Sequence, residues 1–340
     1  MPDFSSRLIC WQRQHGRHDL PWQGADAYRI WLSEIMLQQT QVATVIPYYQ
    51  RFIASFPNIA ALGAAAEEQV LAHWSGLGYY ARGRNLHRAA RLIAEKHQGK
   101  FPDQYEQILE LPGIGRSTAA AICALAYHQR RAILDGNVKR VLSRYCGIGS
   151  GDTEALFWQQ AEALLPQFDV ACYTQALMDM GATLCKRSKP ECLKCPVQSG
   201  CVALQGGRIA ELPARRPRKT VPEKYSIFLL LLHGNHILLE KRPGSGIWGG
   251  LWCMPQFDDM AMVSAWCVQQ GINDAGCMCP SFTHTFTHFK LHITPLLLNV
   301  TKKPLQVQHP GRIWLNVEEA LQAAIPTPVR QMLKKYGRSG

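Results

Sequence analysis

Cys185, Cys192, Cys195 and Cys201 fall within 17 residues, in the order C-x6-C-x2-C-x5-C. Few features of a chain restrict its folding as tightly. Four thiolates this close together can wrap one tetrahedral ion or a cubane cluster, and the segment between them must then curl around that centre. Four unrelated thiols at this density would be a coincidence. Zinc ribbons usually pair two short C-x2-C knuckles across a longer spacer. Only one short pair occurs here, so the single tight loop suits an iron–sulfur cluster better than its competitor, zinc. All four iron ligands would be protein thiolates, leaving no open position for a substrate, which makes the centre structural and not catalytic. The loop also carries Lys186, Arg187, Lys189 and Lys194, which a folded loop would present to a polyanion. The other eight cysteines are scattered, and most of them read as small buried hydrophobes.

At 340 residues the chain is long enough for two or three domains, and 47% apolar residues suffice for a sizeable core. Lys and Arg number 37 against 25 Asp and Glu, a net charge of +12. A surface that basic attracts nucleic acid before other partners. The first residues, MPDFSSRLICWQRQHGR, contain no apolar core of signal-peptide length, and the apolar run Ile227–Leu232 is far too short to cross a bilayer. A soluble, cytoplasmic monomer without a membrane partner is expected. Residues 5–200 carry a helical pattern broken by Pro and Gly. Residues 207–224 form a Pro-rich basic linker containing Arg215, Arg216, Arg218 and Lys219. Beyond it the texture becomes α+β. Strands are predicted at 225–232 and 236–240 around the turn His233-Gly234-Asn235 and again within 289–300, with helices near 259–271 and 317–324.

Three stretches carry candidate chemistry. IWLSEIMLQQTQ (30–41) reads as a buried helix, yet Glu34 stands in it with no Lys or Arg one turn away. LPGIGRSTAAAI (111–122) places Gly113 and Gly115 in a tight turn between helices, where backbone N–H groups can reach phosphate oxygens. ILDGNVKRVLSR follows, with Asp135 before a helix. The local reading of Asp135 is an N-cap.

The combination is more specific than its parts. A helix-hairpin-helix, an Asp about twenty residues on and a four-Cys loop resemble the endonuclease III-like glycosylase superfamily. Within it, LPW (20–22), WLSEIMLQQTQVATVIPYY (31–49), WSGLGYYARGRNLH (74–87), LPGIGRSTA (111–119) and ILDGNVKRVL (133–142) resemble the MutY-type adenine DNA glycosylases. The resemblance spans nearly the whole chain. It implies a multidomain protein: all-α helix-hairpin-helix glycosylase domains with an iron–sulfur loop, followed by an α+β Nudix-like domain. Residues 1–206 would be a helical catalytic region with the cluster loop at 185–201, 207–224 the linker, and 225–340 the part that recognises 8-oxoguanine.

The resemblance further implies one 4Fe-4S cluster on Cys185, Cys192, Cys195 and Cys201, and removal of adenine mispaired with 8-oxoguanine or G in double-stranded DNA. Glu34 would be the general acid, kept protonated by apolar neighbours. Asp135 would stabilise the sugar cation or attack it, with Asn137 beside it. Tyr79 and Gln39 would enter the duplex. Trp22 and Leu37 would line the adenine pocket, and Lys139 would contact phosphate. Ser117 replaces the Schiff-base lysine of the lyase branch, so a monofunctional enzyme is expected. GIWGGLWCMPQF (246–257) resembles the Nudix fold, but DDMAMVSAWCVQQGI after it has no Glu for a metal-binding box. The resemblance therefore implies recognition without pyrophosphatase chemistry, through Phe286, Thr287 and His288. The competing readings are an endonuclease III-like glycosylase/AP lyase, opposed by Ser117 and the C-terminal domain, and a non-catalytic DNA-damage scaffold, opposed by Glu34 and Asp135.

Overall fold

A computed structural model describes residues 3–149, 151–214, 220–274, 276–303 and 311–337. The linker cations Arg215, Arg216, Arg218 and Lys219 lie outside them. Twelve α-helices come first among the described residues: α1 (Phe4–His15), α2 (Ala27–Leu37), α3 (Val42–Ser55), α4 (Ile59–Ala64), α5 (Glu67–Trp74), α6 (Ala81–Lys96), α7 (Tyr105–Leu109), α8 (Arg116–Tyr127), α9 (Gly136–Cys146), α10 (Glu154–Ala163), α11 (Val170–Thr183) and α12 (Val202–Gln205). Strands β1 (Glu223–His233), β2 (His236–Lys241), β3 (Trp252–Cys253) and β4 (Gln256–Phe257) follow. Next come α13 (Met260–Gln269), β5 (Cys277–Met278), β6 (Phe282–Thr285), β7 (Lys290–Asn299), β8 (Arg312–Asn316), α14 (Val317–Gln322) and α15 (Thr327–Tyr336). Among the described residues, no helix is long and apolar enough to cross a membrane.

The chain divides into two compact units. One contains residues 1–64 and 85–217, the other 65–84 and 218–340. The stretch 65–84, helical in sequence like its neighbours, therefore packs with the C-terminal fold, and the division falls in the first turn of α6.

In the first unit the alanines of α8 let it lie close to its neighbours. Ala120, Ala121 and Ala124 join Leu8 of α1, Val138, Val141 and Leu142 of α9, and Tyr173 and Leu177 of α11 in one core. Tyr28, Ile30, Trp31, Leu32, Ser33, Ile35 and Met36 are all buried on α2. Asp26 caps that helix, accepting the Arg29 N–H at 2.9 Å. The helix expected to run on through Gln41 stops at Leu37, because Gln39 takes a left-handed φ of 58° and Gln38 turns its side chain to Thr118 Oγ1 at 3.4 Å. Asp179 of α11 is fully buried. It accepts Arg17 N–H and Nε–H at 2.8 Å each and Gln175 Nε2 at 2.8 Å.

In the second unit β1 is central. It pairs antiparallel with β2 through the predicted tight turn, and parallel with β7 over ten residue pairs, Glu223↔Lys290 to Leu232↔Asn299. The predicted strand within 289–300 is one long strand, with β6 forming a hairpin onto it. Leu229, Leu231, Leu296 and Leu298 bury one sheet face under Val263 and Cys267 of α13. Asp259 is used as the N-cap of α13, accepting Met262 N–H at 2.8 Å.

Asp179 is the internal tie of the helical unit, so Asp179→Ala leaves the Arg17 guanidinium with a lost partner in a largely buried place. The expected cost is about 3–5 kcal/mol in a urea titration, with the slope unchanged. A loss below about 1 kcal/mol would show that the pair contributes little.

Candidate active site

The site is built where α2, the hairpin and the start of α9 meet. Glu34, half-buried, is surrounded by the apolar residues that make α2 a core helix. Burial pushes its carboxyl up to about 8, and the nearby charge of Asp135 adds to the rise. Asp135 has the N-cap role its sequence position suggests: Oδ1 accepts the Val138 N–H at 2.7 Å. Burial raises its pKa as well, but the Val138 and Asn137 backbone N–H groups and Arg140 oppose that rise. The two carboxyl groups thus sit in unlike settings, one raised by burial and by its neighbour with no donor or cation among the described residues to offset it, the other served by several.

The turn between α7 and α8 closes through Ile114 N–H to Leu111 O at 3.1 Å. Gly113 has φ 83°, and a Cβ there would stand 2.8 Å from Asn85 Cβ, so glycine is required. Gly115 caps α8 with no side-chain partner, and a Cβ on it would meet nothing within 4 Å, which leaves that side of the turn open. Ser117 Oγ accepts the Leu134 N–H at 2.9 Å. The hydroxyl at the position expected to matter for what it is not therefore holds the residue just before Asp135.

The structure places the remaining candidates unevenly. Asn137 Oδ1 accepts Arg140 Nη2 at 2.7 Å, and Asn137 Cβ lies where a Cβ on Gly181 would be 2.7 Å away. Lys139 pairs with Glu154 at 3.2 Å. Trp22 is buried edge-on against Tyr49, their rings 5.3 Å apart, and Leu37 is part-buried at the end of α2. Gln39 is exposed. In the second unit Tyr79 is 46% exposed at φ 49°. Phe286 stacks on Phe289 at 4.3 Å and tilts against Trp248 at 5.4 Å. Thr287 and His288 are exposed at the tip of the β6–β7 hairpin, and Thr287 Oγ1 shares a 3.0 Å hydrogen bond with Tyr79 Oη.

Cys185, Cys192, Cys195 and Cys201 line one cavity together with Val141, Met180 and Leu184. Among the described residues no group of three His, Cys, Asp or Glu side chains is arranged to hold a single metal ion. Burial raises the thiols of Cys192 and Cys201 and pushes Cys195 up to about 11, with neighbouring thiols adding to each of these rises. Thiolates gathered in an apolar pocket repel, and a cationic centre among them removes that cost. Arg144 lies beside them, Nη1 3.4 Å from Cys185 Sγ, and Arg140 donates to Cys185 O at 2.8 Å. Soft donors, shared cavity and adjacent cations fit a thiolate-held cluster. Glu191 pairs with Lys186 at 2.7 Å and Lys194 at 3.0 Å, so the loop's positive face is partly balanced.

Sequence reasoning missed Arg140 and Arg144. Their signal was only the i, i+4 spacing that sets both on one face of α9.

A family model described as "HhH-GPD superfamily base excision DNA repair protein" matches residues 32–167, and a "NUDIX domain" model matches 227–335. A solved thermostable thymine-DNA glycosylase superposes with a TM-score of 0.55 at 29% identity, over 60% of this chain and 95% of that one. A non-covalent endonuclease III–DNA complex shares the fold at a TM-score of 0.52 and 18% identity, over 59% and 94%. The class is thus a helix-hairpin-helix base-excision glycosylase with a Nudix-type domain after it. An adenine DNA glycosylase of Buchnera aphidicola (subsp. Acyrthosiphon pisum) is 38% identical over 99% of this chain and 98% of its own length. The human adenine DNA glycosylase is 32% identical over 98% of this chain and 74% of its own. The chain belongs to the adenine DNA glycosylase family.

The raised carboxyl of Glu34 has a thermodynamic consequence. The folded chain keeps its proton up to about pH 8, whereas an unfolded chain releases it near 4.5. Between those values the folded state binds more protons, so this group lowers stability as pH rises through the window. Glu34→Gln is therefore expected to be more stable than the parent near pH 9, by on the order of 1–3 kcal/mol, with the gap closing toward pH 4.5. Urea titrations across pH decide it, and a gap independent of pH would contradict the raised carboxyl.

Proposed function

We propose that this glycosylase hydrolyses the N-glycosidic bond of adenine mispaired with 8-oxoguanine, and also with G, in double-stranded DNA in the cytoplasm, acting as a monofunctional monomer. The observation that carries this is the pair of carboxyl groups in unlike settings at the hairpin, Glu34 raised and Asp135 held by N–H donors. The printed names of the relatives support the adenine.

The chemistry follows from the two environments. Glycosidic cleavage develops negative charge on the leaving base and positive charge on the sugar. Protonated Glu34 donates to adenine N7. As the bond to the sugar breaks, the electron pair leaves with the base. Asp135 faces the oxocarbenium-like sugar carbon with its negative charge, and Asn137 keeps it in place through its backbone N–H. Water then attacks that carbon and gives its proton to Glu34, which restores the acid. Adenine reaches Glu34 only when it is turned out of the stack. Tyr79 and Gln39, both left-handed and exposed, are suited to fill the gap, and Trp22 and Leu37 back the adenine pocket. Ser117 has no amine for a Schiff base, which supports hydrolysis without strand cleavage, and Lys139, whose pair with Glu154 is exposed, stays available to a phosphate. The open backbone of the Gly113–Gly115 turn suits phosphate.

Cys185, Cys192, Cys195 and Cys201 would hold a 4Fe-4S cluster, whose contribution is to fix the loop. The hairpin at Phe286, Thr287 and His288 would read 8-oxoguanine, with a hydroxyl from Thr287.

Single-turnover incubation with A opposite 8-oxoG, opposite G and opposite T tests the reaction. Adenine should leave the first duplex fastest, and no release from it would refute the reading. Glu34→Gln should bind that duplex while losing about 10²–10⁴-fold in rate. Iron analysis of the isolated protein should give about four irons per chain, and Cys195→Ser should lower that number. An iron-free, fully folded parent would remove the cluster assignment.

A further inference from the structure

Tyr79 stands in a costly piece of backbone. Gly76 (φ 100°), Gly78 (φ 78°) and Tyr79 (φ 49°) give three left-handed residues in four. A residue with a Cβ persists there only where its surroundings over-determine it. Within the loop, Trp74 Nε1 and Arg82 Nη2 both donate to Gly78 O, at 3.2 and 3.1 Å.

The outer supports come from the C-terminal part of the chain, in the same compact unit. Ser75, buried, donates its Oγ–H to Ile325 O at 2.5 Å and accepts Arg330 Nη2 at 2.9 Å. Arg330 also donates to Leu321 O, so α15 and the end of α14 meet at this serine. On the far side of the loop, Arg84 Nη1 donates to Gly249 O at 2.5 Å. Gly250, at φ 78°, packs on α5, where a Cβ would lie 3.4 Å from Glu67 Oε1. GIWGGLW thus serves here as a seat for residues 65–84. The exposed Lys241–Glu68 pair adds little. The loop is pinned at Ser75 and Arg84, and its tip meets the reader hairpin through Tyr79 Oη and Thr287 Oγ1.

We propose that Ser75 and Arg330 are positioning residues for selectivity toward the base opposite the adenine: their buried clasp holds the 75–84 loop so that Tyr79 and Thr287 meet DNA as one rigid feature. This rests on the reading of Tyr79 and the 286–288 hairpin as DNA contacts. The clasp bonds named above lie within the C-terminal unit, apart in sequence from Glu34 and Asp135. Loosening the clasp should therefore spare the chemistry at Glu34 and weaken discrimination.

The test uses the full-length, cluster-loaded protein with Arg330→Gln and Ser75→Ala, and Arg330→Lys as the conservative variant. Hydrogen exchange of the 75–84 amides should speed up by about tenfold in the first two. Single-turnover release should slow on both duplexes, because Tyr79 fills the gap in either, but by about tenfold more opposite 8-oxoG than opposite G. Arg330→Lys should recover part of both effects. Proportional loss on both duplexes would mean a merely structural role and overturn the proposal, as would faster exchange with an unchanged ratio. Unaltered exchange in Arg330→Gln would refute the clasp whatever the selectivity. A parent enzyme indifferent to 8-oxoG would instead refute the reader reading itself.

Discussion

A carboxyl group that keeps its proton near neutral pH is the constraint around which the helical unit is arranged. An apolar helix supplies the low-dielectric setting that penalises the charged form of Glu34, and a second carboxyl group close by raises the penalty. That arrangement works against folding, so the rest of the unit must be over-stabilised to carry it. The alanine face of α8, the Asp179 tie and the packed side chains of α2 do so. Asp135 is placed by ordinary means: it is an N-cap served by two backbone N–H groups, and a serine hydroxyl holds the residue before it. One feature of helix geometry thus provides both the start of α9 and the anion beside Glu34.

The cysteine loop is held to this same helix. Arg140 touches Asn137, Gly181 and Cys185, and Arg144 touches Cys185 and the carbonyls of Lys186 and Arg187. The guanidinium fork suits the task because it satisfies several carbonyl oxygens at once from one side chain. Backbone strain is present at two of the places where contact with another molecule is proposed. Gln39 and Tyr79 both take left-handed backbone without being glycine.

Much of this was legible in the residues. The two textures of the chain, the helix around Glu34, the hairpin between α7 and α8 and the grouping of the cysteines all follow from local pattern. So do the β1–β2 turn and the loss of carboxylates from α13. The C-terminal limit of α2 was not legible, because Gln38 leaves the helical path for Thr118, a partner eighty residues away. Nor was the exposed pairing of Lys139 with Glu154, which lies on another helix.

The sequence by itself determined which chemistry the chain holds: two carboxyl groups, a serine in place of a lysine, four thiols and a Nudix-like fold without its metal ligands. These are matters of residue type and short spacing, and short spacing sets geometry within one element. Only the tertiary structure decided how unlike the two carboxyl environments are, since burial and charge act across elements distant in sequence. It also decided that residues 65–84, helical in pattern, belong with the C-terminal fold. Helical periodicity shows that a face will be buried, and the identity of what buries it depends on side chains such as Arg330, 255 residues from the serine it meets.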